Sequence, residues 1–311
     1  MKEEPNILQM ARAQFLIGIL VPLFAGTMIT VSISNSFSLI GFLLVLIIGI
    51  GIHIATNVYN DIYDTFQGAD KKESNTRNYY SGGSGILQKF PHLTGKMFML
   101  ARFGLILSFI ATIGLLFVIN QSLWPLLIIV YTTLAFLSKY YTAPPFKLGY
   151  RGMGEIVVWS GFGPLAITLA AISQNLGFNF TLIAVMPATG FSTLSILWIG
   201  QMLDIKNDIA AGKIGLVARL GSKRAYRGYV IIIFLLIINI LVISFFILHP
   251  GWPVLFSLLP FCVTPIIWMR LRKFHNNPIK LMSISKLNSL QYLLFSIMFN
   301  VGIYLSLIIE S

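Results

Sequence analysis

Apolar runs of about 20 residues, separated by short polar turns, fill this chain of 311 residues from end to end. Runs of that length match the thickness of a hydrocarbon core crossed by a helix. Nine spans are predicted, at roughly 12–33, 37–60, 97–119, 121–138, 153–173, 179–203, 228–248, 252–270 and 287–309. In lipid every peptide group must be paired internally, and continuous runs of this length do so as helices. The expected fold is therefore an all-α integral membrane bundle of nine transmembrane helices, ringed around a central cavity. Every stretch between runs is shorter than about 40 residues, too short for a separate core. The chain reads as one domain over 1–311, with a flexible loop at about 65–95. The first apolar segment, from about Ala13 to Ile33, is longer than a signal-peptide core and lacks a small-residue cleavage site.

Composition agrees: 56% of residues are hydrophobic and 10% are charged. The net charge of +12 could suggest nucleic acid, but its distribution answers a different question. Turns at Ser34 to Ser36, Asn120 and Gln121, Gln174 to Asn179, and His249 to Gly251 carry no Lys or Arg. With nine spans, all 22 Lys and Arg fall on the opposite face. That face is cytoplasmic by the positive-inside bias, so the N-terminus is inside and the C-terminus outside. A cell (plasma or inner) membrane location follows as the expectation. Cys262 is the single cysteine, so no intrachain disulfide can form.

Of only 10 acidic residues, four stand in two clusters at the cytoplasmic ends of spans two and six. Asn57, Asn60, Asp61 and Asp64 form the first, and Asp204 and Asp208 the second. Spacings of three and four residues place such side chains on one helical face. Carboxylates in a membrane protein mark a cation, a proton or a charged substrate. Hard oxygens suit magnesium, which shares its coordination with phosphate oxygens and water. Two facing acidic patches would repel unless cations lay between them. Two magnesium ions would remove that repulsion and leave positions for a diphosphate. Arg77, Lys139, Lys147, Arg151 and Lys213 are the candidate cations for the remaining phosphate oxygens. Such a set stabilises a diphosphate leaving group. Asp61, Asp64, Asp204 and Asp208 are thus the candidate metal ligands and catalytic residues, and Asn57 and Asn60 their assistants.

At these residues the chain resembles the UbiA-type membrane prenyltransferases. Asn57, Asn60, Asp61 and Asp64 fit that family's N-x-x-N-D-x-x-D motif, and Asp204 and Asp208 fit its second acidic motif. The run Tyr141 to Glu155 (Tyr141, Thr142, Pro144, Tyr150, Arg151, Gly152, Gly154, Glu155) is similar to the branch acting on 1,4-dihydroxy-2-naphthoate. So is the run from Asp208 through Gly212, Lys213, Arg219, Leu220 and Gly221. The place of a third acid found in some members is Gly212 here. The resemblance implies magnesium-dependent transfer of a polyprenyl group from its diphosphate to an electron-rich aromatic ring, in menaquinone biosynthesis. It implies loss of diphosphate and, for the naphthoate acceptor, of CO2. The prenyl tail would lie between helices, open to lipid. Tyr141, Lys139, Lys147, Arg151, Lys213 and Arg77 are the expected substrate-binding residues. The same resemblance is compatible with 4-hydroxybenzoate, homogentisate, a tetrapyrrole or a glyceryl phosphate as acceptor.

An ion-coupled transporter is the rival from another class. Transporters place coupling ions near the bilayer midplane on broken helices; here the acids crowd one membrane face. Ser81 to Gly85 is expected to act as a lid or connector, or to bring backbone amides to phosphate. His53, one turn before Asn57, either lines the cavity or is hydrogen-bonded within the bundle. Glu155 is expected at a helix start, holding the acceptor or paired with Arg151. Gly161, Gly163, Gly190 and Gly200 are expected at close helix contacts.

Overall fold

A computed structural model describes residues 4–70 and 83–310. Among the described residues, nine helical segments are long and apolar enough to cross a membrane: α1 Ala13–Ser34, α2 Leu39–Phe66, α3 Pro91–Leu116, α4 Gln121–Tyr140, α5 Gly154–Ser173, α6 Phe180–Ala210, α7 Ser222–Ile247, α8 Trp252–Phe274 and α9 Pro278–Ile309. Their starts are set by local chemistry. Ser38 accepts a hydrogen bond from the Gly41 amide to cap α2, and Asn179 accepts one from Thr181 to cap α6.

Several spans run further than the apolar pattern predicts, α3 from Pro91 and α8 to Phe274 among them. α2 continues to Phe66 and α6 to Ala210, while α7 begins at Ser222 and α9 at Pro278. The apolar window ends where lipid ends, but backbone hydrogen bonding continues into the polar turns. Both acidic clusters therefore lie on helices, with their four-residue spacing intact. Of the segment 65–95, residues 65 and 66 complete α2, and Ile86–Lys89 is a short helix. Arg77, Ser81 and Gly82 lie outside the described residues.

The helices close a circuit. α1 packs against α2, α5, α6 and α9; α2 packs on α3, α4 and α5; α6 packs on α5, α7 and α9. Side chains such as Phe117, Phe234 and Phe246 face outward, as expected where the surroundings are lipid. Gly163 and Gly190 do sit at a close contact: a Cβ on Gly163 would lie 2.6 Å from the Met186 carbonyl, and one on Gly190 2.6 Å from that of Trp159. Gly161 and Gly200 do not, because a Cβ on either meets nothing within 4 Å. Gly200 is one turn from Asp204 on α6, so the missing side chain opens room beside the second acidic cluster. Around Pro164, α5 loosens into a π-helical turn over Gly161–Leu165. The proline has no amide hydrogen to keep the regular ladder.

Candidate functional site

The inner end of α2 carries its acids buried. Asp61 and Asp64 are 2% and 3% exposed, so each charge needs partners within the protein. Asp64 has both oxygens engaged: Tyr150 donates its hydroxyl to Oδ1 at 2.7 Å, and the Lys213 ammonium donates to Oδ2 at 2.8 Å. Asp61 Oδ1 accepts from the Ser84 backbone amide at 3.0 Å and faces Arg12 Nη1 at 3.4 Å. The other oxygen, Asp61 Oδ2, is buried without a hydrogen-bond partner.

The end of α6 joins this site through Lys213. Its ammonium lies 3.8 Å from Asp208 Oδ1 as well as 2.8 Å from Asp64, so one cation reaches both acidic helices. The short loop after α6 is built to hold it. Gly212 turns the chain at φ +75°, a conformation that glycine adopts without strain. The Lys213 amide then bonds the Asp208 carbonyl at 2.8 Å, and the Ile214 amide bonds the Tyr150 carbonyl at 3.0 Å. Glu155 Oε1, at the start of α5, accepts from the Leu216 amide at 2.8 Å and caps the short helix Leu216–Leu220.

Burial opposes the charge on Lys213, but Asp64 and Asp208 outweigh it and hold its pKa well above the ordinary lysine value. Burial pushes the Tyr150 phenol the same way, and the neighbouring Asp64 carboxylate adds to it. Lys213 stays an ammonium and Tyr150 a neutral donor, and each role stabilises ionised Asp64.

Asn57, Asn60 and Asp204 are half-buried on the helices that carry the buried acids, and Asn57 Nδ2 is a buried donor without a partner. The remaining predicted cations are placed differently. Lys139 lies over the Tyr140 ring, 5.2 Å from its centroid, and Lys147 over Tyr150 at 5.7 Å. Exposed Arg151 donates to the Pro145 carbonyl at 3.0 Å. Among the described residues none of these three forms an ion pair with an acid. Tyr141 is buried, and its hydroxyl would meet a Cβ on Gly154 at 3.1 Å, so it packs the loop that carries Tyr150. The expected Glu155–Arg151 pair is replaced, since Glu155 serves Leu216 and Arg151 serves Pro145.

His53 is not the hydrogen-bonded core histidine that one of the two expectations described. It is 7% exposed, packs edge-on to Phe162, and its Nε2 has no hydrogen-bond partner. Arg12, Ser84 and Tyr150 are site residues that the sequence pattern did not single out for contact with acids. Arg12 had a signal: a charge that opens the first apolar run. It adopts a left-handed backbone, φ 54°, just before α1, which directs the chain into the bundle.

Among the described residues, no three His, Cys, Asp or Glu side chains stand close enough to form a ready-made metal cage. The donor set nevertheless fits a hard cation: carboxylate oxygens on two helices, with Asp61 Oδ2 lacking a partner. An apolar cleft of about 380 Å³ opens between α1 and α9, lined by Leu20, Phe24, Met28, Ile297 and Val301.

Among curated proteins, the chain is 29% identical to the 2-carboxy-1,4-naphthoquinone phytyltransferase of Synechocystis over 207 residues, which is 65% of this chain and 62% of that protein. It is 30% identical to the 1,4-dihydroxy-2-naphthoate octaprenyltransferase of Mycobacterium tuberculosis over 187 residues, 60% of each chain. The matched region thus spans about three fifths of these relatives. A solved UbiA homolog from Archaeoglobus fulgidus shares the fold with a TM-score of 0.62 at 15% identity, over 94% of this chain and 98% of that one. A structure of the Archaeoglobus fulgidus homolog bound to GPP and Mg2+ matches with a TM-score of 0.54 at 16% identity, over the same shares of the two chains. The profile of the UbiA prenyltransferase family matches residues 19–290. This chain belongs to the UbiA prenyltransferase family.

Proposed function

We propose that this protein transfers a polyprenyl group from its diphosphate to 1,4-dihydroxy-2-naphthoate, releasing diphosphate and CO2, as a step of menaquinone biosynthesis. The observation that carries the reading is Lys213, whose ammonium reaches Asp64 on α2 and Asp208 on α6 at once. Two acidic helices meeting at one cation form a place for a polyanion with its counter-cations. Two curated relatives named for naphthoate-type acceptors, and a solved neighbour bound to GPP and Mg2+, support the substrate classes.

Asp61, Asp64, Asp204 and Asp208 would hold magnesium, two ions in this reading, together with the substrate's own phosphate oxygens. The chemistry that magnesium supplies when bound is neutralisation of diphosphate charge. The chain's residues do the rest. Lys213 turns from Asp64 toward phosphate oxygens, and Tyr150, which stays neutral, keeps Asp64 in place. Arg12 and the Ser84 amide hold Asp61 so that Oδ2 remains directed inward. Asn57 and Asn60 steady the same face of α2. Lys139, Lys147 and Arg151 serve as the outer cations. As the allylic carbon–oxygen bond breaks, its electron pair leaves with the diphosphate, and the naphthalene carbon that bears the carboxylate uses a ring π pair to form the new carbon–carbon bond. The ring's carboxylate then departs as CO2, and its bonding electrons restore the aromatic ring. The tail of the donor fits the apolar cleft between α1 and α9. The positive-inside bias turns this site toward the cytoplasm.

Purified protein, magnesium, a polyprenyl diphosphate and dihydroxynaphthoate are expected to yield diphosphate and a decarboxylated prenyl naphthoquinol. The same donor offered with 4-hydroxybenzoate, homogentisate, a tetrapyrrole or glyceryl phosphate tests the acceptor. Turnover of one of these in place of the naphthoate overturns the acceptor assignment, and turnover that survives EDTA overturns the metal assignment.

A further inference from the structure

Deeper in the bundle than the acids, α2 and α9 each leave a polar group beside a glycine of α1. That glycine is Gly18. A Cβ there would lie 3.4 Å from Phe162 Cε1, 3.7 Å from His53 Cε1 and 3.8 Å from Tyr292 Oη. His53 and Tyr292 are 7% and 8% exposed. Neither His53 Nε2 nor Tyr292 Oη makes a hydrogen bond of good geometry, although the Thr193 and Ser296 hydroxyls stand near the phenol. Buried polar groups in native proteins are nearly always paired, so two orphans beside one glycine call for an account. A hydrocarbon tail would leave both unsatisfied at a cost. A ligand with a polar oxygen on a flat ring would satisfy both.

The column on α2 gives the direction of that ligand. His53, Asn57 and Asp61 follow at four-residue steps on one face, and each has a buried polar atom without a partner: Nε2, Nδ2 and Oδ2. The eight residues from His53 to Asp61 span roughly 12 Å of helix. That separation is longer than a fused two-ring aromatic, so such a ring could reach from the orphan pair toward the acids. Phe162, held in the π-helical turn of α5, meets His53 edge-on with ring centroids 5.4 Å apart, and closes the space with an aromatic wall.

We propose that His53 and Tyr292 are positioning residues for the aromatic acceptor, hydrogen-bonding a ring oxygen at the end remote from the diphosphate, with Gly18 leaving space for the ring. This rests on the prenyl-transfer reading above and adds to it the anchor for the acceptor. The imidazole accepts from a ring hydroxyl, and the Tyr292 hydroxyl donates to the same or a neighbouring ring oxygen. The ring carbon nearer the acids then faces the prenyl donor.

The test measures KM for dihydroxynaphthoate and for the prenyl diphosphate separately, in the purified full-length enzyme with magnesium. Tyr292→Phe removes one hydroxyl and is expected to raise the acceptor KM about 5- to 10-fold. Gly18→Ala places a methyl at ordinary contact distances in the empty protein, so it folds, yet it narrows the space for the ring. It is expected to raise the acceptor KM at least as much. His53→Leu gives the same loss, and His53→Gln, which keeps a polar end, recovers part of it. In all four the KM for the prenyl diphosphate and the melting temperature in detergent stay near wild type. An unchanged acceptor KM in Tyr292→Phe and Gly18→Ala overturns the proposal. So does an equal rise in both KM values, which marks a structural or water-binding role. A wild-type enzyme that turns over the prenyl donor with none of the aromatic acceptors overturns the functional reading itself, and this proposal with it.

Discussion

The two acidic helix ends differ in how they are held. On α2, Asp61 and Asp64 are buried and fixed by Arg12, Ser84, Tyr150 and Lys213, drawn from four separate parts of the chain. On α6, Asp208 is buried while Asp204, one turn earlier, is half-buried, and Lys213 from the following loop links Asp208 to the other helix. The α2 end is a platform held from several sides. The α6 end is joined to it through Lys213 on a glycine-turned loop. On the proposed function, a polyanion entering between them takes Lys213 as its own partner and leaves Asp64 and Asp208 to metal.

The comparison breaks most sharply at the acids themselves. Asp61→Asn and Asp64→Asn keep the shape of each side chain and remove the charge. Each is expected to lower kcat/KM for prenyl transfer by about 10³-fold, read from diphosphate release. Lys213→Gln separates linkage from platform. It is expected to cost about 10²-fold in kcat/KM, with the prenyl diphosphate KM carrying much of the loss. Glu155→Gln acts at a distance from the chemistry. It weakens the cap on Leu216 and loosens the loop that presents Lys213. About a 10-fold fall in activity is expected, with about 1 kcal/mol of stability lost in a denaturation series. Asp208→Asn at a comparable cost to Glu155→Gln would show that the α6 end is merely structural.

pH supplies the smallest effect. Lys213 has its folded pKa raised above the unfolded value of about 10.4, so its pair with Asp64 contributes fully below that pH. The contribution fades only as pH rises through the higher folded value. Thermal stability is therefore expected to hold flat from pH 7 to 10, and Lys213→Gln to be flat but lower over the same range. A fall in wild-type stability between pH 8 and 9.5 that is absent from Lys213→Gln would contradict the assigned protonation state.

Much of this site was legible because a bilayer makes charge scarce. The spacing of Asp61, Asp64, Asp204 and Asp208 pointed to two faces, and the fold puts Asp64 and Asp208 on one lysine. Lys213 is among the cations expected from the sequence, and the fold sets it between Asp64 and Asp208. What stayed hidden is long-range. Arg12 meets Asp61 across 49 residues and Tyr150 meets Asp64 across 86, and no periodicity encodes those distances. Arg12 looked like an ordinary charge on the cytoplasmic rim. Glu155 looked like a helix-start charge with Arg151 close by, whereas its partner is an amide 61 residues away. The span boundaries shifted for a simpler reason: hydropathy reports where lipid ends, and hydrogen bonding decides where the helix ends.

Magnesium-dependent binding of a prenyl diphosphate, measured by titration calorimetry on wild type, Asp64→Ala and Asp208→Ala, puts the meeting of the two helices to the most direct trial. Wild type is expected to bind only with magnesium present, and either substitution alone to abolish that binding. Full magnesium-dependent affinity in Asp208→Ala would show that α2 holds the diphosphate by itself and would end the two-helix account.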